Sequence, residues 1–155
     1  MKNKSSMKIH FRNGCLALVL GSALAFPAAS ADPEAIVDYR QGVMSSLGGN
    51  TAASAAILMD GVDFRENLEK HARILAEFTR DIPALFPEGT DVGDHDAREA
   101  VWTDRETFEN RAADTQEAAE AFYAVVRDGG SEQEIVAAFR DMGQSCRACH
   151  DDFRR

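Results

Sequence analysis

The residues with the most distinctive chemistry lie near the end of the chain, in the order Cys146-Arg147-Ala148-Cys149-His150. On a helix, residues three and four positions apart project from one face. Two thiols placed in this way can reach the two vinyl groups along one edge of a porphyrin, while the adjacent imidazole reaches the iron. The pattern is therefore typical of c-type haem attachment, with Cys146 and Cys149 bound covalently to one haem c and His150 as the metal ligand.

Other uses of a close cysteine pair fit this sequence less well. A redox-active C-x-x-C opens a helix beside predicted strands, whereas this pair closes a helix in a chain without them. A structural zinc site needs four ligands, and His71 and His95 have no partner cysteines nearby in the sequence. A plain disulfide is the third alternative. We interpret the pair as a haem attachment site.

The first 31 residues have the pattern of a secretory signal peptide. A basic start without acids is followed by an uncharged apolar run over residues 15–26 and by small residues up to Ala31. The run is shorter than the roughly 20 residues that a membrane span needs; a retained membrane anchor is the alternative. We predict a signal peptide over 1–31, a single domain over 32–155, export to the periplasm and no membrane attachment after cleavage.

The charge balance excludes some classes of partner. Loss of residues 1–31 would remove four of the 17 basic residues and none of the 26 acidic ones, which leaves a net charge of −13 with His neutral. Such a chain is repelled by nucleic acid and by anionic membranes. A basic protein partner would suit it, although a solvated acidic surface is the commoner meaning of such a charge.

Residues 32–155 predict an all-α fold, because apolar residues recur at helical spacing and no run of β-branched residues alternates at period two. Four amphipathic helices with mostly short connections indicate an antiparallel four-helix bundle with the haem near its C-terminus. The first helix starts at Pro33 after the cap residue Asp32, and Gly48-Gly49 is expected to break it or to allow a close backbone contact.

The other three helices are delimited by turn and cap residues. The second follows Gly61 with Asp63 as its cap and Phe64 as the first residue of its apolar stripe, and Pro83 limits its end. The third starts between residues 99 and 104 and ends at Asp128-Gly129-Gly130. Ser131 and Glu134 form a capping box that opens the fourth. Between the second and third helices, residues 87–98 form the longest loop.

The sequence resembles cytochrome c′, the helical-bundle class II c-type cytochromes of bacterial periplasms. The likeness extends over essentially the whole of residues 32–155. It is carried by Tyr39-Arg40-Gln41 followed by Met44 and Leu47-Gly48, by Ile82-Pro83-Ala84-Leu85-Phe86-Pro87, by Val101-Trp102-Thr103-Asp104, and by Cys-Arg-Ala-Cys-His-Asp-Asp-Phe-Arg over residues 146–154.

The resemblance implies roles for further residues. Arg40 and Gln41 match positions near the haem propionates, and a guanidinium beside a propionate is a favourable charge-assisted pair. Asp96 matches a loop position that approaches the haem, and Arg154 a proximal-side arginine one turn after the iron ligand. Surface positions are the alternative for both arginines. Phe86 and Trp102 are interpreted as core or haem-packing aromatics.

Met44 matches the distal position, where two kinds of relative differ. In typical cytochromes c′ an apolar residue leaves the iron five-coordinate, high-spin and open only to small uncharged gases. In low-spin relatives a methionine at this position is the sixth ligand. A methionine is also a common core filler, so the residue type leaves both forms open, and the Tyr39-Arg40-Gln41 triplet favours the five-coordinate one.

Three classes of function follow. The first is a periplasmic protein that binds small gases such as nitric oxide or carbon monoxide. The second is an electron carrier with Met44 as an axial ligand, whose redox partner protein the sequence does not identify. No acid–base pair or second metal set accompanies the haem motif, so an enzyme is not expected. The family usually pairs through its first two helices, and small residues on the first helix would permit a homodimer: Gly42, Ser45, Ser46, Gly49, Ala52, Ala53 and Ala56.

Overall fold

The computed structural model describes residues 31–155, so the predicted signal peptide, apart from Ala31, lies outside the described residues. This part of the chain is α-helical and contains no strand, and none of its helices is long and apolar enough to cross a membrane. The α-helices are α1 Pro33–Met59, α2 Leu68–Thr79, α3 Ala100–Thr103, α4 Arg105–Arg127 and α5 Glu132–Phe153, with 3-10 turns at Arg65–Asn67 and Ile82–Leu85.

The four long helices form the predicted four-helix bundle, which is confirmed. Helix α1 packs against α2, α2 against α4, and α4 against α5, while α3 is a single turn that leads into α4. Helices α1 and α5 are not among the helix pairs with extensive backbone contact. The predicted haem attachment residues and the predicted distal residue lie on these two helices.

Three helix ends follow local cap chemistry as predicted. Asp32 accepts a hydrogen bond from the amide of Glu34, and proline occupies the first turn of α1. Ser131 and Glu134 form the reciprocal capping box at the start of α5. Gly129 ends α4 with a φ of +71°, a left-handed conformation that glycine adopts without steric cost.

Three expectations about α1 and α2 are wrong. Helix α1 runs unbroken through Gly48-Gly49, and a Cβ added at either glycine would meet no atom within 4 Å, so there is neither a break nor a close contact. Asp63 does not cap α2, because a 3-10 turn intervenes and α2 begins at Leu68. Phe64 precedes that turn and is 56% exposed, which removes it from the apolar stripe.

The core consists of two clusters, which we call the upper and the lower cluster. Leu47 packs partly buried against both. The lower cluster lies beside the strap, a name we give to the loop over residues 87–98. The upper cluster contains Ile57, Leu68, Ala72, Leu75, Ala119, Phe122, Ile135, Phe139 and Met142. The lower cluster contains Val43, Ile82, Leu85, Phe86, Val101, Phe108, Ala112 and Phe153.

The turn between α4 and α5 gives the first testable prediction. A Cβ at Gly130 would lie 2.6 Å from Cγ1 and 3.0 Å from the carbonyl oxygen of Val125, so Gly130→Ala must displace the turn. We expect a loss of about 1–3 kcal/mol in the free energy of unfolding, measured by urea denaturation. The control Gly48→Ala, at an open helical position, should instead gain about 1 kcal/mol. Equal effects at both sites would contradict the packing described here.

Candidate haem site

The C-x-x-C-H turn lies in the last two turns of α5, as predicted. Cys146 and Cys149 are half-buried and are not joined in a disulfide, and His150 is exposed. Burial raises the pKa of the Cys146 thiol, and burial together with the negative charges of Cys146 and Asp152 raises the pKa of Cys149 to about 11. Both sulfurs are therefore neutral thiols at physiological pH, which disfavours the thiolate chemistry of a redox-active pair.

The two cysteines contact different parts of the core. Cys146 packs against the upper cluster, whereas Cys149 packs against the lower one. Met44 on α1 packs against the same lower cluster as Cys149. The C-x-x-C-H turn on α5 and the predicted distal residue on α1 therefore both contact the lower cluster, and the turn also contacts the upper one.

His150 projects from the end of α5 near a positive charge. Partial desolvation of its ring lowers the pKa of His150, and the guanidinium of Arg154 lowers it further. Arg154 is one turn beyond His150, and its amide donates to the carbonyl of His150 at 2.9 Å. These effects favour the neutral imidazole, which is the form that binds a metal.

Arg40 is the most unusual charged residue of the structure. It is 2% exposed, and its Nη1 donates to Oγ1 of Thr90 at 3.0 Å. The guanidinium carbon lies 4.8 Å from the ring centre of Phe86 and 5.5 Å from that of Trp102. Burial lowers the pKa of Arg40, and the negative charge of Asp91 partly offsets this effect.

The buried guanidinium lacks a full set of partners. Nη2 of Arg40 is buried and has no hydrogen-bond partner among the described residues. A buried charge without a direct counter-ion is costly, and a carboxylate that accepts from both guanidinium nitrogens is the preferred remedy. The propionates of a haem carry such carboxylates, so the residues present fit this group.

The strap ties α1 to the end of α5, and the remaining predicted site residues meet there. Nε2 of Gln41 donates to the carbonyl of Asp94 at 2.8 Å. The guanidinium of Arg154 forms an ion pair of 2.9 Å with Asp96, and Ala97 forms an isolated antiparallel bridge with Arg154. Asp96 and Arg154 thus contact each other directly, a pairing that the sequence did not indicate.

The sequence pattern did not identify several residues that shape this site. Arg105 donates to the carbonyls of Phe86 and Pro83 at 3.0 and 2.7 Å, which secures the chain before the strap. Inside the strap, Thr90 donates to the carbonyl of Pro87, Nδ1 of His95 accepts from the amide of Ala97, and Asp91 lies 3.2 Å from Nε2 of His95. The available signals were weak, because polar residues in a loop rich in Gly and Asp are usually solvated.

Comparison with known proteins decides the family. The family model described as Cytochrome C′ matches residues 35–154, which is most of the chain. The chain belongs to the cytochrome c′ family. Members of this family carry covalently bound haem c, one per chain, and this is the cofactor of the present cytochrome c′.

Relatives in both sequence and structure agree with the assignment. The cytochrome c′ of Rhodospirillum rubrum is 32% identical over 128 residues, covering 82% of this chain and 86% of the relative. The nitric oxide complex of a single-residue mutant of cytochrome c prime from Alcaligenes xylosoxidans has a TM-score of 0.73 and 28% identity, covering 81% of this chain and 98% of that one.

A second solved structure extends the likeness. It is a cytochrome c′ described as having an unusual ligand-controlled dimer dissociation. Its TM-score is 0.75 at 27% identity, and the match covers 81% of this chain and 98% of that one. The predicted recognition, fold class and cofactor are thereby confirmed.

Proposed function

We propose that this cytochrome c′ is a periplasmic protein whose five-coordinate, His-ligated haem binds small gases, nitric oxide above all, and can also transfer electrons. The observation that carries the proposal is the apolar character of the α1 residues opposite the attachment turn. Val43 is part of the lower cluster, and Met44 and Leu47 pack against it. Cys149 on α5 packs against the same cluster. These side chains carry no hydrogen-bond donor.

The α5 end supplies the covalent and metal bonds in this proposal. Cys146 and Cys149 would hold the haem through thioethers, and His150 would be the proximal ligand. Half-burial of the two thiols between the clusters supports a flat apolar group in contact with both. Arg154, one turn beyond His150, places a positive charge beside the imidazole.

The strap end supplies the propionate contacts. The unpartnered Nη2 of Arg40 offers a buried donor to a carboxylate. Gln41 is exposed on the next position of α1, beside the strap that it binds through Asp94. We assign Asp96 a supporting role, because its carboxylate pairs with Arg154 and links the strap to the proximal helix.

Selectivity for gases follows from the side chains on α1. When bound, the haem iron supplies an open coordination position and can gain or lose one electron. A ligand whose bound form is polar, such as dioxygen, gains little from an apolar face without donors. Nitric oxide needs no such help, and a methionine at the distal position restricts the space to small, uncharged molecules.

The alternative is a six-coordinate, low-spin electron carrier in which Met44 is the second axial ligand. The observation that favours this form is the position of Met44, which packs against the same cluster as Cys149. Met/His ligation raises the reduction potential and suits electron transfer. We assign no enzymatic reaction to either form.

The visible absorption spectrum of the purified holoprotein separates the two forms. For the proposed form we expect a broad high-spin Soret band in both oxidation states and a spectral change when nitric oxide is added to the reduced protein. Sharp α and β bands in the reduced protein, with no response to nitric oxide or carbon monoxide, would reject it in favour of Met44 ligation.

We also propose export and self-association. The signal-peptide pattern over residues 1–31 supports a periplasmic location, and cleavage there would leave no membrane attachment. A homodimer through α1 and α2 is supported by small residues on the outer side of α1 and by a groove of about 310 Å³ there. The groove is lined by Asp38, Tyr39, Gly42, Val43, Ser46 and Phe78.

A further inference from the structure

The strap contains a buried histidine that the proposed function does not use. The side chain of His95 is only 5% exposed. Its Nδ1 accepts a hydrogen bond from the amide of Ala97 at 3.2 Å, and its Nε2 lies 3.2 Å from Oδ1 of Asp91. Because Nδ1 must accept from the amide, the network assigns the ring proton to Nε2, the ring nitrogen that lies close to Asp91.

Asp91 is placed between this histidine and the buried arginine. It follows Thr90, whose hydroxyl accepts from Nη1 of Arg40. Its charge acts on Arg40, yet its carboxylate lies 3.2 Å from Nε2 of His95 and, in the part of the chain that the structure describes, forms no ion pair with Arg40 within 4.0 Å. The Asp91 side chain is 44% exposed, so it has space to rotate.

Trp102 connects the same groups on their apolar side. Its ring lies 6.1 Å from the ring of His95 and 5.5 Å from the guanidinium of Arg40. Its Nε1 donates to the carbonyl of Pro87 at the start of the strap. His95 and Arg40 therefore border one aromatic side chain. Because Asp91 lies near both groups, movement of its carboxylate would change the electrostatic environment of each.

We propose that His95 is a positioning residue that holds the Asp91 carboxylate away from Arg40 and so leaves the buried guanidinium available to a haem propionate. The inference rests on the proposed role of Arg40. Without an N–H donor at position 95, the Asp91 carboxylate is free to pair with the unsatisfied guanidinium. The arginine would then be neutralised by its own chain.

Two substitutions separate the two polar contacts of His95. In His95→Asn the short side-chain oxygen can still accept from the amide of Ala97, as in an Asx turn, but its amide cannot reach Asp91. In His95→Gln the longer amide can donate to Asp91 from about the position of Nε2. The proposal requires the asparagine variant to release Asp91 and the glutamine variant to retain it.

The readout is the midpoint potential of the holoprotein at fixed pH. We expect His95→Asn to lower it, because a neutralised Arg40 no longer disfavours the ferric charge, and His95→Gln to leave it at the wild-type value. Adding Asp91→Asn to His95→Asn should restore the potential.

Asp94→Asn is the control for the loss of one strap carboxylate, because Gln41 contacts only the backbone carbonyl of Asp94. Equal shifts in both His95 variants, or a restoration no larger than the effect of Asp94→Asn, would overturn the proposal.

Two further measurements identify which inference has failed. Arg40→Gln should lower the potential at least as far as His95→Asn; if it has no effect, the proposed role of Arg40 fails and that of His95 with it. If Arg40→Gln lowers the potential and His95→Asn does not, only the role of His95 fails. In the wild-type holoprotein, ¹H–¹⁵N NMR should show an unprotonated Nδ1 at His95, and a protonated Nδ1 would overturn the proposal without any variant.

Discussion

Replacement of both Cys146 and Cys149 by alanine is expected to abolish covalent haem attachment entirely. The described residues contain no other cysteine, and the two half-buried thiols lie on one face of α5. Any haem that still entered the bundle would be held only by His150 and packing. Extraction with acidified acetone should therefore remove all haem from the double variant and none from the wild type.

The consequences for stability follow from linkage. A tightly held cofactor stabilises the native state, so its loss lowers the free energy of unfolding and the melting temperature. Each single variant should keep one thioether and resist extraction. Arg147→Ala is the matched control, because Arg147 lies inside the motif with its side chain 83% exposed and should retain both bonds. Haem that stays bound to the double variant after extraction would disprove the attachment site.

Substitution of Met44 by alanine should increase the affinity of the ferrous protein for carbon monoxide by about tenfold or more. Met44 is half-buried against the lower cluster, and a shorter side chain opens the distal space that the proposal assigns to it. A tenfold change corresponds to about 1.4 kcal/mol, which is modest beside the cost of steric overlap in a packed interior. Equilibrium titration followed at the Soret band measures it.

Met59→Ala is the control for this experiment. Met59 is the last residue of the same helix, is 44% exposed and lies about four turns from Met44, so its loss should leave gas affinity unchanged. Identical affinities in wild type and Met44→Ala would reject Met44 as the residue that restricts the distal space. Conversion of a low-spin spectrum to a high-spin one by Met44→Ala would instead identify Met44 as an iron ligand.

Local rules account for the parts of the fold that were predicted correctly. Asp32 with Pro33, and Ser131 with Glu134, are caps whose partners lie within three residues, so their chemistry is visible in the sequence. Apolar and small residues that recur at helical spacing along α4 face the core: Phe108, Ala112, Thr115, Ala119 and Phe122 are buried and Val126 is half-buried.

The wrong expectations rest on local residue preferences that the folded chain does not follow. Gly48-Gly49 is locally unfavourable in a helix by about 1 kcal/mol per glycine, but α1 is buried in the bundle on both sides of these glycines, and this packing stabilises the helix across them. A local pattern does not contain that packing. Asp63 satisfies the residue preference for a cap, yet the chain forms a solvent-exposed 3-10 turn before α2.

Residues close together in the chain were enough to predict the helical class, the caps of α1 and α5, the C-x-x-C-H turn at residues 146–150 and the likeness to a known family. The folded chain alone reveals that Arg40 is buried with an Nη2 that has no partner among the described residues, that Asp96 pairs with Arg154 and that His95 lies against Asp91. Arg40 and Thr90, and likewise Asp96 and Arg154, are more than 45 positions apart. Such contacts depend on how the strap lies across the bundle, and an irregular loop has no periodicity from which its path can be predicted.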